Sequence, residues 1–210
     1  LACGGPDGRA HLLKPTGELL GRIPDVSPDD GFDARDATGL GDDQSDVSPP
    51  IHALAFSKGS RYLATAGSST EVTIWDLKRK SKLKSLSGHR DSISAVQYSP
   101  GDQHVASAGR EGRVVLHSPV SGLVVGEMLT PGVSASGSNG ACAVASLHYS
   151  PHRRQMLASA SSDGAVRVWD TGVRRLTTTL STLSGQANGA PSAACDARFS
   201  PVDTNVVAAA

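Results

Sequence analysis

The stretch MLASASSDGAVRVWDTGVRRLTTTLS, residues 156–181, decides the fold because it reads as three strands joined by two tight turns. Asp163-Gly164 supplies the first turn, since glycine accepts a positive φ at little cost. Thr171-Gly172 turns the chain again before RLTTTLS. The preceding segment AVASLHY, 143–149, alternates in polarity and ends at the turn signal Ser150-Pro151. The whole region therefore predicts a unit of four antiparallel strands.

The same phrase returns about every 50 residues. LATAG (63–67) precedes VTIWD (72–76), VASAG (105–109) precedes VVLHS (114–118), and LASAS (157–161) precedes VRVWD (166–170). Partial copies flank these three. Four-stranded units of this period that end in Trp-Asp resemble the blades of a WD40 β-propeller. The predicted fold class is all-β, a WD40 β-propeller present as a partial ring of three full blades and two partial blades.

Blade boundaries follow from the repeat, with the longer connections treated as loops. The predicted division is a partial blade at 1–23, an acidic disordered inter-blade loop at 24–50, blades at 51–88 and 89–131, a loop at 132–141, a blade at 142–183, a loop at 184–194 and a partial blade at 195–210. Because both terminal copies are incomplete, we expect the native protein to extend in both directions.

Charge is balanced overall but unevenly distributed along the chain. Residues 1–50 hold ten acids and four bases, whereas residues 51–210 hold ten acids and sixteen bases. Residues 24–50 have too little apolar surface to offset the entropy of ordering, which predicts disorder. Ser27 and Ser48 precede prolines in this segment and are candidate phosphosites. The apolar runs are shorter than the roughly 18–20 residues that cross a bilayer, and no membrane partner is predicted.

Two Trp-Asp pairs close the third strands of their blades, where each indole is expected to pack between blades and to need a buried partner for its N–H. In WD40 proteins that partner is a hydroxyl on the second strand, linked to a histidine in the preceding loop and an acid in the hairpin. The residues predicted to form this structural network are Thr65, Trp75, Asp76, His89, Ser159, Asp163, Trp169 and Asp170. Leu116 is expected to replace the tryptophan in the blade after His89, and no blade is expected to hold the full network.

Catalytic and metal-binding patterns are weak. His89, Asp91 and Ser107 could form a hydrolase triad, but no GxSxG element supports one and His89 has a structural role. His148 and His152 have HxxxH spacing, yet a turn separates them, so they do not share a helix face. No phosphate-binding glycine loop occurs. The sequence therefore predicts a protein that is not an enzyme, with no catalytic, cofactor-binding or metal-binding residue.

A cluster of basic residues follows Trp75, and two interpretations of it stay open. It could be a solvated outer edge, where lysines discourage strand-to-strand aggregation, or a docking face for an acidic partner such as a tubulin surface or the protein's own acidic loop. The candidate partner contacts are Lys78, Arg79, Lys80, Lys82, Lys84, Arg110 and Arg113. Nucleic acid is not a predicted partner, because three Phe, three Tyr and two Trp provide little aromatic interleaving.

Residues 72–122, VTIWDLKRKSKLKSLSGHRDSISAVQYSPGDQHVASAGREGRVVLHSPVSG, resemble the GCP-WD family, WD-repeat proteins that recruit the γ-tubulin ring complex. The shared features are an IWDLK blade with a basic turn, His89-Arg90-Asp91, and a blade whose Trp-Asp is replaced by Leu116-His117-Ser118. CDARFSPVDTNVV (195–207) is similar to the same family. The resemblance implies a scaffold or adaptor that targets γ-tubulin ring complexes to microtubule-organising sites. Its implied partners are those complexes or centrosomal and spindle proteins, and its implied location is cytoplasmic, on the cytoskeleton at the centrosome, another microtubule-organising centre or the spindle.

An alternative interpretation is a WD40 substrate receptor of a cullin-RING ubiquitin ligase. Trp75-Asp76-Leu77-Lys78 resembles the WDx[RK] element of such receptors, but Gly172 fills the basic position after Trp169. A helical region after the last blade of the full-length protein would favour the microtubule adaptor.

Overall fold

The structure is a computed structural model that describes residues 1–24, 49–131, 142–181, 193–203 and 206–210. The predicted loop 132–141 and most of the predicted loops 24–50 and 184–194 lie outside the described residues. Ser27 and Ser48 lie outside them as well, so their phosphorylation stays a prediction.

The described residues form seventeen β-strands in five antiparallel sheets, and each sheet follows chain order. The first sheet contains β1 (Ala2–Gly4), β2 (Ala10–Leu13) and β3 (Leu19–Ile23). Blade 1 contains β4 (Ile51–Phe56), β5 (Tyr62–Gly67), β6 (Glu71–Asp76) and β7 (Ser81–Ser87). Blade 2 contains β8 (Ile93–Tyr98), β9 (Val105–Gly109), β10 (Arg113–His117) and β11 (Val124–Leu129). Blade 3 contains β12 (Val144–Tyr149), β13 (Met156–Ser161), β14 (Ala165–Asp170) and β15 (Arg175–Ser181), and the last sheet contains β16 (Ala197–Phe199) and β17 (Val207–Ala209).

These sheets confirm the predicted fold class, an all-β partial ring of three full and two partial blades. Local turn chemistry explains the second hairpin of each blade. Gly112 and Gly164 adopt φ values of 70° and 77° there, in the region that favours glycine. Blade 1 has no glycine at this bend, and Ser69 Oγ instead accepts a hydrogen bond from Glu71 N at 3.2 Å.

The hydrophobic core lies between the blades rather than within any one sheet. One cluster joins blades 1 and 2 and includes Ile74, Leu86 and Ile93. A second cluster joins blades 2 and 3 and includes Leu116 and Trp169. Because each full blade buries both of its faces, it depends on its neighbours for stability.

Side chains on the inner strands connect neighbouring blades. Gln97 Oε1 on β8 accepts a hydrogen bond from Tyr149 N on β12 at 2.9 Å. His148 Nδ1 on β12 accepts a bond from Phe199 N on β16 at 3.1 Å. These bonds run between sheets and fix the rotation of each blade relative to the next.

The first and third turns of every blade lie at the same end of the ring. In an antiparallel sheet successive turns alternate between ends, and contacts between blades show which ends coincide. Lys58 N in the first turn of blade 1 donates to both Asp102 carboxylate oxygens in the first turn of blade 2, at 2.9 and 3.0 Å. His152 Nε2 in blade 3 donates to Pro201 O before β17 at 2.8 Å. We call this end the turn face; it comprises residues 57–61, 77–80, 99–104, 118–123, 150–155 and 171–174.

Candidate functional site: the blade networks and the basic turn

In blade 1 the structure brings Trp75 and Thr65 together. Trp75 Nε1 donates a hydrogen bond to Thr65 Oγ1 at 2.9 Å, and Thr65 is buried. Ser69 occupies the hairpin position that Asp163 holds in blade 3. In the part of the chain that the structure describes, the blade 1 network thus consists of an indole and a hydroxyl.

Blade 2 contains a longer network than the sequence predicted. His89 Nδ1 lies 2.6 Å from Glu111 Oε1, and His89 Nε2 lies 2.8 Å from Ser107 Oγ. Ser107 Oγ is 3.5 Å from His117 Nδ1. His117 Nε2 donates a hydrogen bond to Ser87 O at 3.3 Å. Blade 2 has no tryptophan in this network, and Glu111 and His117 form a chain of four side chains with His89 and Ser107.

The prediction that Leu116 replaces the tryptophan is wrong, because strand register places His117 there. His117 pairs with Val105, just as Trp75 pairs with Leu63 and Trp169 with Leu157. Leu116 instead lies in the core between blades 2 and 3. The sequence carried a signal for the acid, since Glu111-Gly112 aligns with Asp163-Gly164.

The order Ser107, His89, Glu111 matches the arrangement of a serine hydrolase triad. Asp91, the acid that the sequence offered for such a triad, is exposed and accepts a bond from Ser92 N. Ser107 has no exposed surface, and the side chains of His89 and Glu111 are 0% and 1% exposed. A substrate has no access to this hydroxyl, so the arrangement holds the blade together.

Blade 3 has a similar network in which an arginine, rather than a histidine, contacts the hairpin acid. Trp169 Nε1 donates to Ser159 Oγ at 2.8 Å, and both residues are buried. Arg167 Nη1 donates to Asp163 Oδ1 at 3.2 Å and to Ser161 Oγ at the same distance. Arg167 is also buried. Arg167 was not identified as part of this network from the sequence. Its position in the middle of an apolar strand could have indicated a buried, paired arginine.

Burial dominates the protonation of the blade 2 histidines. It lowers the pKa of His117 to about 4, with a further contribution from His89. It also lowers the pKa of His89, although the bond to Glu111 opposes this shift. In blade 3, burial raises the pKa of Asp163, but Arg167 more than offsets that effect and the net shift is downward. At neutral pH, His117 is therefore neutral and Asp163 is ionised.

The lowered pKa of His117 predicts loss of stability in mild acid. Its pKa falls from 6.5 in the unfolded chain to about 4 in the folded one, so the unfolded state binds the proton first as pH falls. Between pH 7.5 and pH 5 the free energy of unfolding should drop by about 2 kcal/mol through this residue. Urea denaturation of wild type and His117→Phe at both pH values measures it. Equal pH dependence in the two proteins would contradict the assignment.

Several of the predicted contact residues form a basic turn on the turn face. We use this name for Lys78, Arg79 and Lys80, which are exposed. Asp76 shapes it by accepting bonds from the backbone N–H groups of Lys78 and Arg79 at 2.9 and 3.2 Å. Burial raises the pKa of Asp76, but these bonds and Arg61 lower it overall, so the carboxylate is ionised.

The remaining predicted contacts do not join this turn. Lys82 is exposed on β7 opposite Trp75, and Lys84 Nζ donates to Val120 O in blade 2. Arg110 is exposed in the hairpin at the opposite end of blade 2. The prediction that Arg113 is a partner contact is contradicted, because Arg113 is 6% exposed and pairs with Glu111 and Glu127. A buried, doubly paired guanidinium is not available to a partner.

The described residues carry neither a metal-binding cluster nor a membrane-spanning helix. They contain no group of three His, Cys, Asp or Glu residues that could hold a metal ion. His148 and His152 make separate contacts, to Phe199 N and Pro201 O. No helix within the described ranges has the length and apolar character needed to span a membrane.

Comparison with known proteins identifies a matching family and several similar proteins. The family model described as WD domain, G-beta repeat matches residues 38–76, 80–118 and 133–170. Protein NEDD1 of Homo sapiens is 37% identical over 111 residues, which cover 53% of this chain and 16% of that protein. Protein NEDD1 of Bos taurus is 34% identical over 117 residues, covering 56% of this chain and 16% of that protein.

A relative with a different name is similar over a comparable length. Anaphase-promoting complex subunit cdh1 of Dictyostelium discoideum is 29% identical over 129 residues, covering 58% of this chain and 15% of that protein. The chain thus spans about one sixth of the length of these curated relatives.

Proposed function

The chain belongs to the WD40 repeat family, and from this premise we propose that it is a non-enzymatic scaffold that targets γ-tubulin ring complexes to microtubule-organising sites. The observation that supports the proposal most is the similarity to Protein NEDD1 of two mammals. The proposed partners are γ-tubulin ring complexes and centrosomal or spindle proteins, and the proposed location is the cytoskeleton at the centrosome, an equivalent organising site or the spindle.

Rigid display of surface turns is the proposed mechanism. WD40 domains mediate protein–protein interaction, and binding residues commonly lie on turns held by a rigid scaffold. The bonds between inner strands and between first turns fix such turns in this protein. The basic turn then presents a positive surface that attracts an acidic partner.

The ubiquitin-ligase alternative has no comparable support. Lys78 is exposed after Trp75, as the WDx[RK] element requires. Blade 3 has Gly172 at the same place, where its N–H donates to Asp170 Oδ1 at 2.9 Å. The basic position of the WDx[RK] element is therefore filled in one of the two Trp-Asp blades and empty in the other.

Affinity purification of the tagged full-length protein tests the proposal. We expect γ-tubulin to co-purify, and the double substitution Lys78→Glu, Arg79→Glu to reduce its recovery about tenfold, because two exposed charge contacts become repulsive. Backbone bonds to Asp76 stay in place in this variant, so the turn should keep its shape. The readout is γ-tubulin recovered per unit of bait.

Arg175→Glu provides the control, since it reverses an exposed charge on β15 of blade 3 that is not among the predicted contacts. We expect it to leave γ-tubulin recovery unchanged. Recovery of a cullin-RING adaptor without γ-tubulin would overturn the proposal in favour of the alternative.

A further inference from the structure

A groove opens between blades 1 and 2 beside the basic turn. Its volume is about 320 Å³, within the range of small-ligand and side-chain pockets. Tyr62, Leu83, Pro119 and Val120 supply most of its apolar wall. Leu83 and Val120 are 47% and 85% exposed, so the groove continues into an exposed apolar rim.

Contacts across the groove keep it open. Lys84 Nζ on β7 donates to Val120 O in the third turn of blade 2, which ties the rim of one blade to the other. Asp102 on the opposite side is held by the two bonds from Lys58 N. The walls are therefore positioned before any partner arrives, and binding costs little ordering of the protein.

The groove contains a buried hydroxyl that lacks a hydrogen bond. Tyr98 lines the groove and is 7% exposed, and its hydroxyl has no hydrogen-bond partner among the residues that the structure describes. Burial, then Asp102 and Tyr62, raise the pKa of Tyr98, so the hydroxyl keeps its proton. A buried donor without an acceptor is unfavourable, and a ligand that supplies an acceptor there relieves the penalty.

Basic residues lie on the blade 1 side of the groove, whereas Asp102 lies on the blade 2 side. The Arg61 guanidinium lies 5.2 Å from the centre of the Tyr62 ring, which lines the groove. The basic turn is joined to the same segment, because Leu77 N donates to Arg61 O at 2.9 Å. Of the nearby acids, Asp76 is engaged by Arg61 and by the turn backbone. The blade 1 side of the entrance therefore favours carboxylates.

We propose that this groove binds a partner-protein segment in which a tyrosine is flanked by Asp or Glu residues. The tyrosine ring fills the apolar space, its hydroxyl accepts from Tyr98 and donates to Asp102, and the flanking carboxylates meet Arg61 and the basic turn. Tyrosine suits this site because it combines a large apolar ring with a polar tip. The inference rests on the proposed docking function and specifies the chemistry of the partner.

The test uses the full-length protein and the peptide fluorescein-Glu-Asp-Tyr-Asp-Glu-amide, labelled at its N-terminus, with dissociation constants measured by fluorescence anisotropy. Versions with Ala or Phe at the centre serve as reference peptides. We expect the Tyr peptide to bind at least tenfold tighter than the Ala peptide, and Val120→Glu to weaken its binding at least tenfold. Val173→Glu is the matched control, since Val173 is an exposed valine in the equivalent turn of blade 3 and lies outside the groove.

Tyr98→Phe tests the hydroxyl separately and should reduce the preference for the Tyr peptide over the Phe peptide, because the bond to Asp102 remains. The inference is overturned if the Ala peptide binds as tightly as the Tyr peptide, or if Val173→Glu and Val120→Glu weaken binding equally. It is also overturned if single-stranded DNA displaces the labelled peptide at a lower concentration than the unlabelled peptide does. Failure of the proposed function looks different: γ-tubulin would not co-purify while peptide binding still required Val120.

Discussion

Trp169→Ala is expected to lower the free energy of unfolding by about 3–5 kcal/mol, the usual cost of deleting a fully buried large aromatic side chain. Trp169 is 2% exposed and belongs to the cluster between blades 2 and 3. Its removal opens a cavity against Tyr149 and Leu157 and leaves Ser159 Oγ without its indole donor. Urea denaturation followed by circular dichroism measures the loss.

Trp75→Ala is the matched control, because Trp75 makes the equivalent bond to Thr65 in a more open setting. Trp75 is half-buried and lines a cavity of about 250 Å³, so part of its surface already contacts solvent. We expect a clearly smaller loss of stability for this variant. Equal losses would show that the two Trp-Asp blades are packed alike, contrary to the structure.

The blade pattern was predictable because its determinants are local. Strand alternation and the Asp163-Gly164 turn each act within about ten residues, and the repeat supplied the same information three times. Even the partial blades at both ends were readable in this way. Local signals of this kind can be interpreted without knowing how the blades pack against one another.

The position of His117 was misassigned, although the repeat spacing that aligns VVLHS with VTIWD sets His117 at the place of Trp75. All five residues of β10, Arg113–His117, are buried, since the strand has a blade on either side. A strand buried on both faces lacks the alternation that fixes register, and a one-residue shift then goes unnoticed. Strand pairing of His117 with Val105 agrees with the position that the repeat spacing gives.

The basic residues show a similar limit. Arg110 and Arg113 look alike in the sequence, but the hairpin at Glu111-Gly112 reverses the chain between them. Arg110 then points to solvent, whereas Arg113 meets two carboxylates from its own blade. Which cations are free for a partner depends on pairing across strands, and that information is not local.

Glu111→Ala is expected to cost about 3–5 kcal/mol of stability, because it removes one partner of a buried ion-paired network. Glu111 is 3% exposed and accepts from His89 Nδ1 and from Arg90 N, at 2.6 and 3.2 Å. It also lies 3.7 Å from the Arg113 guanidinium. Alanine leaves these donors buried without their carboxylate, and the loss is measured by urea denaturation at pH 7.5.

Glu127→Ala separates burial from charge, since Glu127 pairs with the same Arg113 but its side chain is 44% exposed. An exposed ion pair contributes about 0–1 kcal/mol, so this variant should lose far less stability than Glu111→Ala. Glu111→Asp keeps the charge and copies the hairpin acid of blade 3, and it should retain part of the stability that alanine loses. If Glu111→Ala and Glu127→Ala were equally mild, the four-residue chain in blade 2 would be a geometric coincidence. A large difference between them would show that blade 2 replaces its missing tryptophan with a buried network of its own.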